Sequence, residues 1–391
     1  MTDVVVIGGG IIGCSVGVHL LLAAPGLRVE IVEPDPTYAL ADTPVASGGV
    51  RQLFSRPENV VLSQQTLELI ARWPEFATVD GEPAPDLQWK RQGYLFIATR
   101  EGTDALRENL ETQRALGADV RWLEPSELAD RYPVFATSDL GPAVLSPDDG
   151  WLDPHAFLQG MRRKAQSLGA AFREDRVAGL EAVSGGVRRV QLASGGELVP
   201  TAVVNAAGCW APDLSAHVGM PVPVEPMRRF EHAVHLPPPS REAFASLPFV
   251  KDPDGLAIRP EGPGLSVGLV DFQHPGGFDR RVDDSYFERA VWPALAHRCP
   301  GLDRLRLHAT TVGHYDQNRL DGNPIIGSWP GRLDNYYLAT GFSGHGMMHA
   351  PGVGKALAEL ILHGRYQTLD LERFGYERVL RQEPYAERGI R

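Results

Sequence analysis

Val4–Ile7 is a short, wholly apolar run, the pattern of a strand buried on both faces. From Ile12 to Ala24 the apolar residues continue over helical length, and "RVEIVEPD" returns to a strand with Glu33 at its end. The regular alternation then stops. An irregular stretch closes on "ASGGVRQLFS" (46–55), and a helix is predicted from about Glu58 to Trp73. "DGWLDPHAFLQGMRRKAQSLGA" predicts a turn and an amphipathic helix. "AFREDRVAGLEAV" and "VRRVQLASGGELVP" predict strands with a hairpin at Ser194–Gly196, and "TAVVNAAGCWAPDLS" a buried strand running into Gly208. "LQWKRQGYLFIAT", "RRFEHAVHL", "GLAIRP" and "GLSVGLVDF" are strand candidates with no helix between successive members, which suits an antiparallel sheet. Helices at "TDALRENLETQRALGA" and "SYFERAVWPALAHRC" would cover its outer face, and the proline clusters "PVPVEP" and "LPPPS" would mark crossings between lobes. Near the end, Tyr336–Thr340 predicts a strand and Gly341–Gly346 a glycine-rich loop. Pro351 and Gly352 would open a helix over about Val353–Leu362, stopped by Gly364.

A chain of 391 residues has room for two lobes. Its net charge of -11 disfavours nucleic acid and anionic membranes, which would be repelled over most of the surface. Cys14, Cys209 and Cys299 are too few and too widely spaced for a disulfide framework or a metal knot, so no metal site is expected and a cytoplasmic setting fits. The only lysines are Lys90, Lys164, Lys251 and Lys355, an arginine bias that fits a GC-rich bacterial genome. The apolar N-terminal stretch follows Thr2 and Asp3 rather than a positive leader, and its glycines and histidine do not suit a membrane span; neither a secretion signal nor an anchor is expected.

The remaining reading of that stretch is a nucleotide cradle. Gly8, Gly10 and Gly13 match GxGxxG between a strand and a helix. Such glycines allow a tight turn, a close approach of pyrophosphate to backbone, and close packing of helix on strand. Glu33, twenty residues after Gly13, stands where a carboxylate accepts hydrogen bonds from a ribose. The pattern alone does not separate NAD from FAD. The second glycine loop decides, because another anion-friendly helix start some 330 residues later suits a long ligand lying between both. Reduced flavin, which carries negative charge on its N1–C2=O2 edge, is such a ligand.

"VVVIGGGIIG", "IVEPD", "SGGVRQ", "GWLDP", "VVNAAGCW", "GHYDQNRLDGNPIIG" and "GFSGHGMMHAPGVG" run in order from residue 4 to about 365. In these segments the chain resembles the D-amino-acid oxidase superfamily of FAD-dependent amine and amino-acid oxidoreductases, which includes the glycine and sarcosine oxidases. The resemblance implies an α/β fold: a Rossmann-like FAD-binding domain of glutathione-reductase type with an inserted antiparallel-sheet α+β substrate domain. The expected division is 1–82, 147–219 and 311–378 for the discontinuous FAD domain, 83–146 and 220–310 for the substrate domain, and 379–391 for a tail in which no signal is legible. Cofactor contacts are expected at Gly8, Gly10, Ile12, Gly13, Glu33, Ser47, Gly48, Gly49, Val177, Ala207, Gly208, Trp210, Gly341, Ser343, Gly344, His345, Gly346 and Met347.

Flavin-dependent amine oxidation asks the protein mainly to position, desolvate and tune charge. An amino-acid carboxylate calls for a cation, usually arginine. Arg51 of "SGGVRQ" is the first candidate, with Tyr315 over the flavin and His345 at its edge. Arg259 is a further pocket candidate, although an ordinary sheet role is the stronger reading for it and for His232. The departures from the family pattern matter as well. Gly313 stands where monomeric sarcosine oxidases attach flavin through cysteine, so FAD is expected to be non-covalent. Their two further carboxylate cations fall on Phe54 and Met348, which suggests a pocket with room for a bulky N-substituted glycine. Their oxygen-activating lysine falls on Ser266, and the four lysines do not lie in matching positions. The expected reaction is oxidation of a C–N bond to an imine that hydrolyses, with oxygen as acceptor and peroxide as product. The alternatives are a D-amino-acid or proline-type dehydrogenase using another acceptor, and a non-catalytic flavoprotein that assists assembly of a partner complex.

Overall fold

β1 (Val4–Ile7) is buried throughout because both of its faces are covered. The structure is a computed structural model that describes residues 2–183, 185–271, 276–302 and 304–389; Phe272, at the end of one expected strand, and the last two residues of the tail lie outside these. β1 sits within a six-stranded sheet of order β18 (Ile325–Trp329), β19 (Leu333–Thr340), β12 (Ala202–Asn205), β1, β2 (Val29–Glu33) and β8 (Ala171–Glu174). Every pairing in it is parallel except β18 with β19. On one face Val4, Val6 and Ile31 pack with the helices Ile11–Ala23, Pro57–Ala71, Pro154–Ser167 and Gly346–His363. On the other face Val5, Ile7, Val32 and Val203 pack beneath a three-stranded sheet of β9 (Val177–Val183), β10 (Gly186–Leu192) and β11 (Glu197–Leu198).

A second large sheet runs β17 (Arg306–Asn318), β13 (Val224–His235), β16 (Gly264–Leu269), β15 (Leu256–Glu261), β14 (Phe249–Lys251), β4 (Tyr94–Ile97), β6 (Ala143–Ser146) and β5 (Arg121–Leu123). It is antiparallel at every pairing but one: β4 and β14 run parallel. The expected all-antiparallel roof is therefore a mixed sheet, because β4 and β14 come from chain segments about 150 residues apart and need no hairpin to join them. The expected boundary at 310/311 falls inside β17, which pairs with β13 along its length. Leu95, Val250, Ile258, Val267 and Phe230 form the outer core of this sheet, with Phe287 and Val291 of a short π turn and Leu295 of the helix Trp292–Arg298. "PVPVEP" leads into β13, but "LPPPS" marks no crossing: its prolines open the helix Pro238–Ala245, and Leu236 and Phe244 join the same outer core.

Two small features bring the sheets together. β3 (Gly49–Val50) pairs with β7 (Gly150–Trp151), which fixes "SGGVRQ" beside "GWLDP". The helix expected from Val353 starts earlier, at Gly346. Pro351 lies inside it and removes only the hydrogen bond that would reach Met347, and the next carbonyl, of Met348, accepts from Thr66 Oγ1 at 2.7 Å.

Candidate active site

Between the two large sheets lies a cavity of about 610 Å³. Its first wall is the turn from β1 into the helix Ile11–Ala23. Gly8 has φ +97°, and a Cβ there would meet the Ala206 carbonyl oxygen at 2.6 Å; a Cβ on Gly13 would collide with the carbonyl oxygen of Gly8. Around Gly10, by contrast, the nearest atom to an added Cβ is Thr43 Oγ1 at 3.7 Å, so the turn is open towards the cavity. Glu33 closes the far side of this turn, accepting from Gly9 N at 2.8 Å and Asp35 N at 3.1 Å, and burial raises its pKa.

The opposite wall is the loop from β19 into the helix Gly346–His363. Gly341 and Gly344 have φ +76° and +94°, and Ser343 adopts φ +51°. The loop is held from the roof: Asp316 on β17 accepts from Gly341 N at 2.7 Å and Phe342 N at 3.1 Å, while Ser343 Oγ accepts from Asn318 N at 3.0 Å. Burial raises the Asp316 pKa to about 6. Neither cavity-facing helix has a side-chain cap or an acidic residue in its first turn. Two uncapped helix N-termini facing one cavity are sites for negative charge.

The roof contributes its inner face. Residues alternate across a strand, so register alone sets which side chains share a face. Tyr315 lines the cavity, with Gly344 beneath its ring and the Arg229 guanidinium 4.8 Å from the ring centroid. Glu231 and Arg229 line it too. Lys251 lies on the same face, its pKa lowered to about 8, first by burial and then by Arg51 and Arg229, against the raising effect of Glu231.

Behind the second wall stands Arg51. It is buried, with its guanidinium 3.8 Å from the Phe54 ring centroid, one nitrogen 3.0 Å from His345 Nε2 and another donating to the Leu53 carbonyl. Neither polar contact is a carboxylate. Burial, reinforced by Arg51, holds the His345 pKa well below its usual range, so the ring is neutral and Nε2 accepts from Arg51. Asp149 accepts from Gln52 N at 2.8 Å and Gln52 Nε2 at 3.0 Å, fixing the residue after Arg51, and burial raises its pKa to about 7. On the other side, Glu387 accepts from Ser55 N and Asn59 Nδ2, each at 2.6 Å, and Arg56 Nε donates to the Ala386 carbonyl at 2.7 Å. The tail thus straps the Arg51 loop in place.

The family model described as FAD dependent oxidoreductase (DAO) matches residues 3–360. The chain belongs to this FAD-dependent oxidoreductase family. It is 36% identical to FAD-dependent oxidoreductase domain-containing protein 1 of Bos taurus, over all of this chain and 87% of that one. It is 29% identical to glycine oxidase of Geobacillus kaustophilus, over 92% of each chain. Among solved structures, L-proline dehydrogenase from P. horikoshii superposes with a TM-score of 0.85 at 28% identity, over 98% of this chain and 99% of that one. These relatives come from cattle and bacteria alike, so the arginine bias says nothing about source.

The residues fit the family's FAD. Gly8, Gly10, Ile12, Glu33, Ser47, Val177, Ala207, Gly208, Trp210, Gly344, Gly346, Met347 and Tyr315 all line the one cavity. Other expected contacts shape it from behind. Gly13 packs helix on strand, a Cβ on Gly48 would collide with the Leu152 carbonyl, and Gly49 sits against the rings of Phe249 and Tyr94. Gly341 and Ser343 set the bend of the second loop, and His345 faces Arg51. Phe54 and Met348, expected to line a substrate pocket, pack instead in the helical core, Phe54 beneath Arg51 and Met348 on the buried face of the helix Gly346–His363. Arg259 donates to the Ser47 carbonyl at 3.1 Å and pairs with Glu261, a link between sheets rather than a pocket lining. His232 is buried on the outer face, 3.0 Å from Thr310 Oγ1 and packed by Tyr286 and Phe287. The sequence reading missed Arg229, Glu231 and Lys251. The alternation of "RRFEHAVH" puts Arg229 and Glu231 on one face, which is the signal that could have found two of them. Among the described residues no helix is long and apolar enough to cross a membrane and no group of acidic, histidine or cysteine side chains could hold a metal.

Proposed function

We propose that the protein oxidises the C–N bond of a small amino acid or carboxylate-bearing secondary amine to an imine, which water then hydrolyses. The observation that carries this reading is the presence of cations and a phenol, Lys251, Arg229 and Tyr315, on the roof's inner face opposite Arg51. FAD, when bound, supplies the acceptor for the hydride equivalent leaving the carbon next to nitrogen. The chain's own residues do the rest. The two uncapped helix ends hold negative charge, the roof excludes water, and the cations orient the substrate carboxylate so that the reacting carbon faces the cofactor. Gly313, where an added Cβ would lie 2.9 Å from Val45 Cγ2, puts no thiol at the position that the resemblance gives to the covalent link, which supports dissociable FAD. Ser266 occupies the place the resemblance gives to an oxygen-activating lysine, so the choice between oxygen and another acceptor falls to the rate of reoxidation in air. The three cysteines are free and buried, in keeping with a reducing compartment such as the cytoplasm. The fold places Phe54 and Met348 in the core, so they lend no support to a bulky substituent.

The test is the visible spectrum of the purified protein, followed without oxygen on addition of glycine, N-methylglycine, bulky N-alkylglycines, D-amino acids and proline. Bleaching by one class supports the proposal and names the substrate. Admitting air separates oxidase from dehydrogenase by the rate of reoxidation. A yellow protein that none of these reduces would overturn the proposed activity.

A further inference from the structure

Register aligns one row of residues across the roof: Phe96, Lys251, Ala257, Gly268, Glu231 and Thr311. All lie on the inner face. Lys251 and Glu231 are three strand spacings apart, about 14 Å between their backbones at roughly 4.8 Å per strand. The two residues between them are Ala257, which packs with Phe96 and Phe249, and Gly268, so no long side chain stands between the two charges along the row. Glu231 leans over Gly268: its Oε2 lies 3.0 Å from where a Gly268 Cβ would stand, and Ser266 Oγ on the same strand donates to its Oε1. Its carboxylate thereby points along the row towards Lys251. The two charges feel one another but form no ion pair within 4 Å among the described residues. Opposite charges on one face, separated by only an alanine and a glycine, leave Glu231 with the Ser266 hydroxyl and no cation within ion-pair distance among the described residues, a costly arrangement in a partly dry site unless something spans the two charges.

We infer that this row is a slot for a zwitterion, in which Glu231 takes the amine of the substrate and Lys251 its carboxylate. The inference rests on the amino-acid reading above and deepens it: the amine is recognised by a carboxylate of the roof, and substrates lacking it are discriminated against. Glu231 is thus a specificity-determining residue whose partner is the substrate's own positive charge. The small residues between the charges are part of the proposed device, since a larger side chain at Ala257 or Gly268 would stand between Lys251 and Glu231.

Binding can be read apart from turnover, by titrating the FAD-loaded protein and following the perturbation of the flavin's visible bands. The probes are glycine and N-methylglycine, which carry both charges; propionate, which carries only the carboxylate; and ethylamine, which carries only the cation. Lys251→Met is expected to weaken the zwitterions and propionate tenfold or more. Glu231→Gln is expected to weaken the zwitterions and ethylamine about tenfold while propionate binds as before or tighter. Glu231→Asp, which keeps the charge on a shorter arm, should fall between, and Ala257→Leu should weaken the zwitterions with both charges intact. Equal loss for propionate and glycine in Glu231→Gln, or no loss for glycine, would overturn the slot. So would zwitterions that fail to perturb the native protein at 100-fold the propionate concentration. Differential binding without anaerobic bleaching leaves the slot standing and removes only the proposed oxidation.

Discussion

At Gly8–Gly13 the chain is held by backbone packed on backbone, whereas at Gly341–Gly346 it is held by a carboxyl reaching across from the other sheet. In the first turn the missing side chains are most of the design: a Cβ at Gly8 or Gly13 has nowhere to go, and one carboxylate, Glu33 of the same sheet, accepts from Gly9 N. In the second, Asp316 of the roof strand β17 gathers two loop N–H groups, Tyr315 of the same strand covers Gly344, and Ser343 tolerates a left-handed backbone. The first cradle is therefore mainly steric and held from within its own sheet. The second is polar, titratable and held from the inner face of the other sheet.

Four substitutions test this contrast. Gly13→Ala should have the largest effect, because the atoms its Cβ would strike are backbone and cannot swing aside. A loss on the order of 3 kcal/mol in urea unfolding is expected, with protein that emerges colourless; a yellow, stable Gly13→Ala protein would show that the first cradle is not sterically set. Asp316→Asn comes next and is pH-dependent. The native pKa, raised by burial to about 6, exceeds the ordinary value of 3.8, so the native state holds its proton more tightly and wild type loses stability as pH rises from 4 to 6. Asparagine, with no proton to lose, should gain on wild type by roughly 2 kcal/mol between pH 4.5 and 7.5 in matched unfolding curves. A constant difference across that range would show that the Asp316 proton does not set the loop's stability. Gly344→Ala combines φ +94° with a Tyr315 ring atom 2.5 Å from the new Cβ, where the neighbour is a side chain that can shift. About 1–2 kcal/mol is expected, with FAD retained and the affinity for propionate altered. Ser343→Gly relieves a left-handed backbone but loses the bond from Asn318 N, and the two should cancel to within about 0.5 kcal/mol in thermal unfolding.

The sequence displayed the first cradle almost completely, since its strand, glycines and Glu33 are near neighbours along the chain; only the Ala206 carbonyl, which closes on Gly8, comes from far away. The second loop was legible as glycine-rich but its helix was placed too late, because Pro351 looks like a helix start and is in fact tolerated one turn inside. Lys251 and Glu231 were not legible as a pair. Each sits in an ordinary alternating strand, and only the register of four strands lines them up across Ala257 and Gly268. The strap at Ala386–Arg388 has no periodicity to read, because it works through backbone groups and one carboxylate, Glu387. Phe54 and Met348 were misplaced for a related reason: position in a motif says which segment a side chain belongs to, but not which way it points.

The strand order β18-β19-β12-β1-β2-β8 bears on how the protein is made. β1 leaves the ribosome with one neighbour, β2, close behind, but its other neighbour, β12, begins at Ala202, and the outer wall of the cavity needs β19 and the loop beyond Thr340. At about 5–20 residues per second, synthesis of the intervening chain takes roughly 20–70 s. Early in that interval only β2 and the helix Ile11–Ala23 are there to cover β1, and flavin supplied early finds only half a binding site. Flavin loading is then expected late in biogenesis, after β19 and the loop beyond Thr340 have been made.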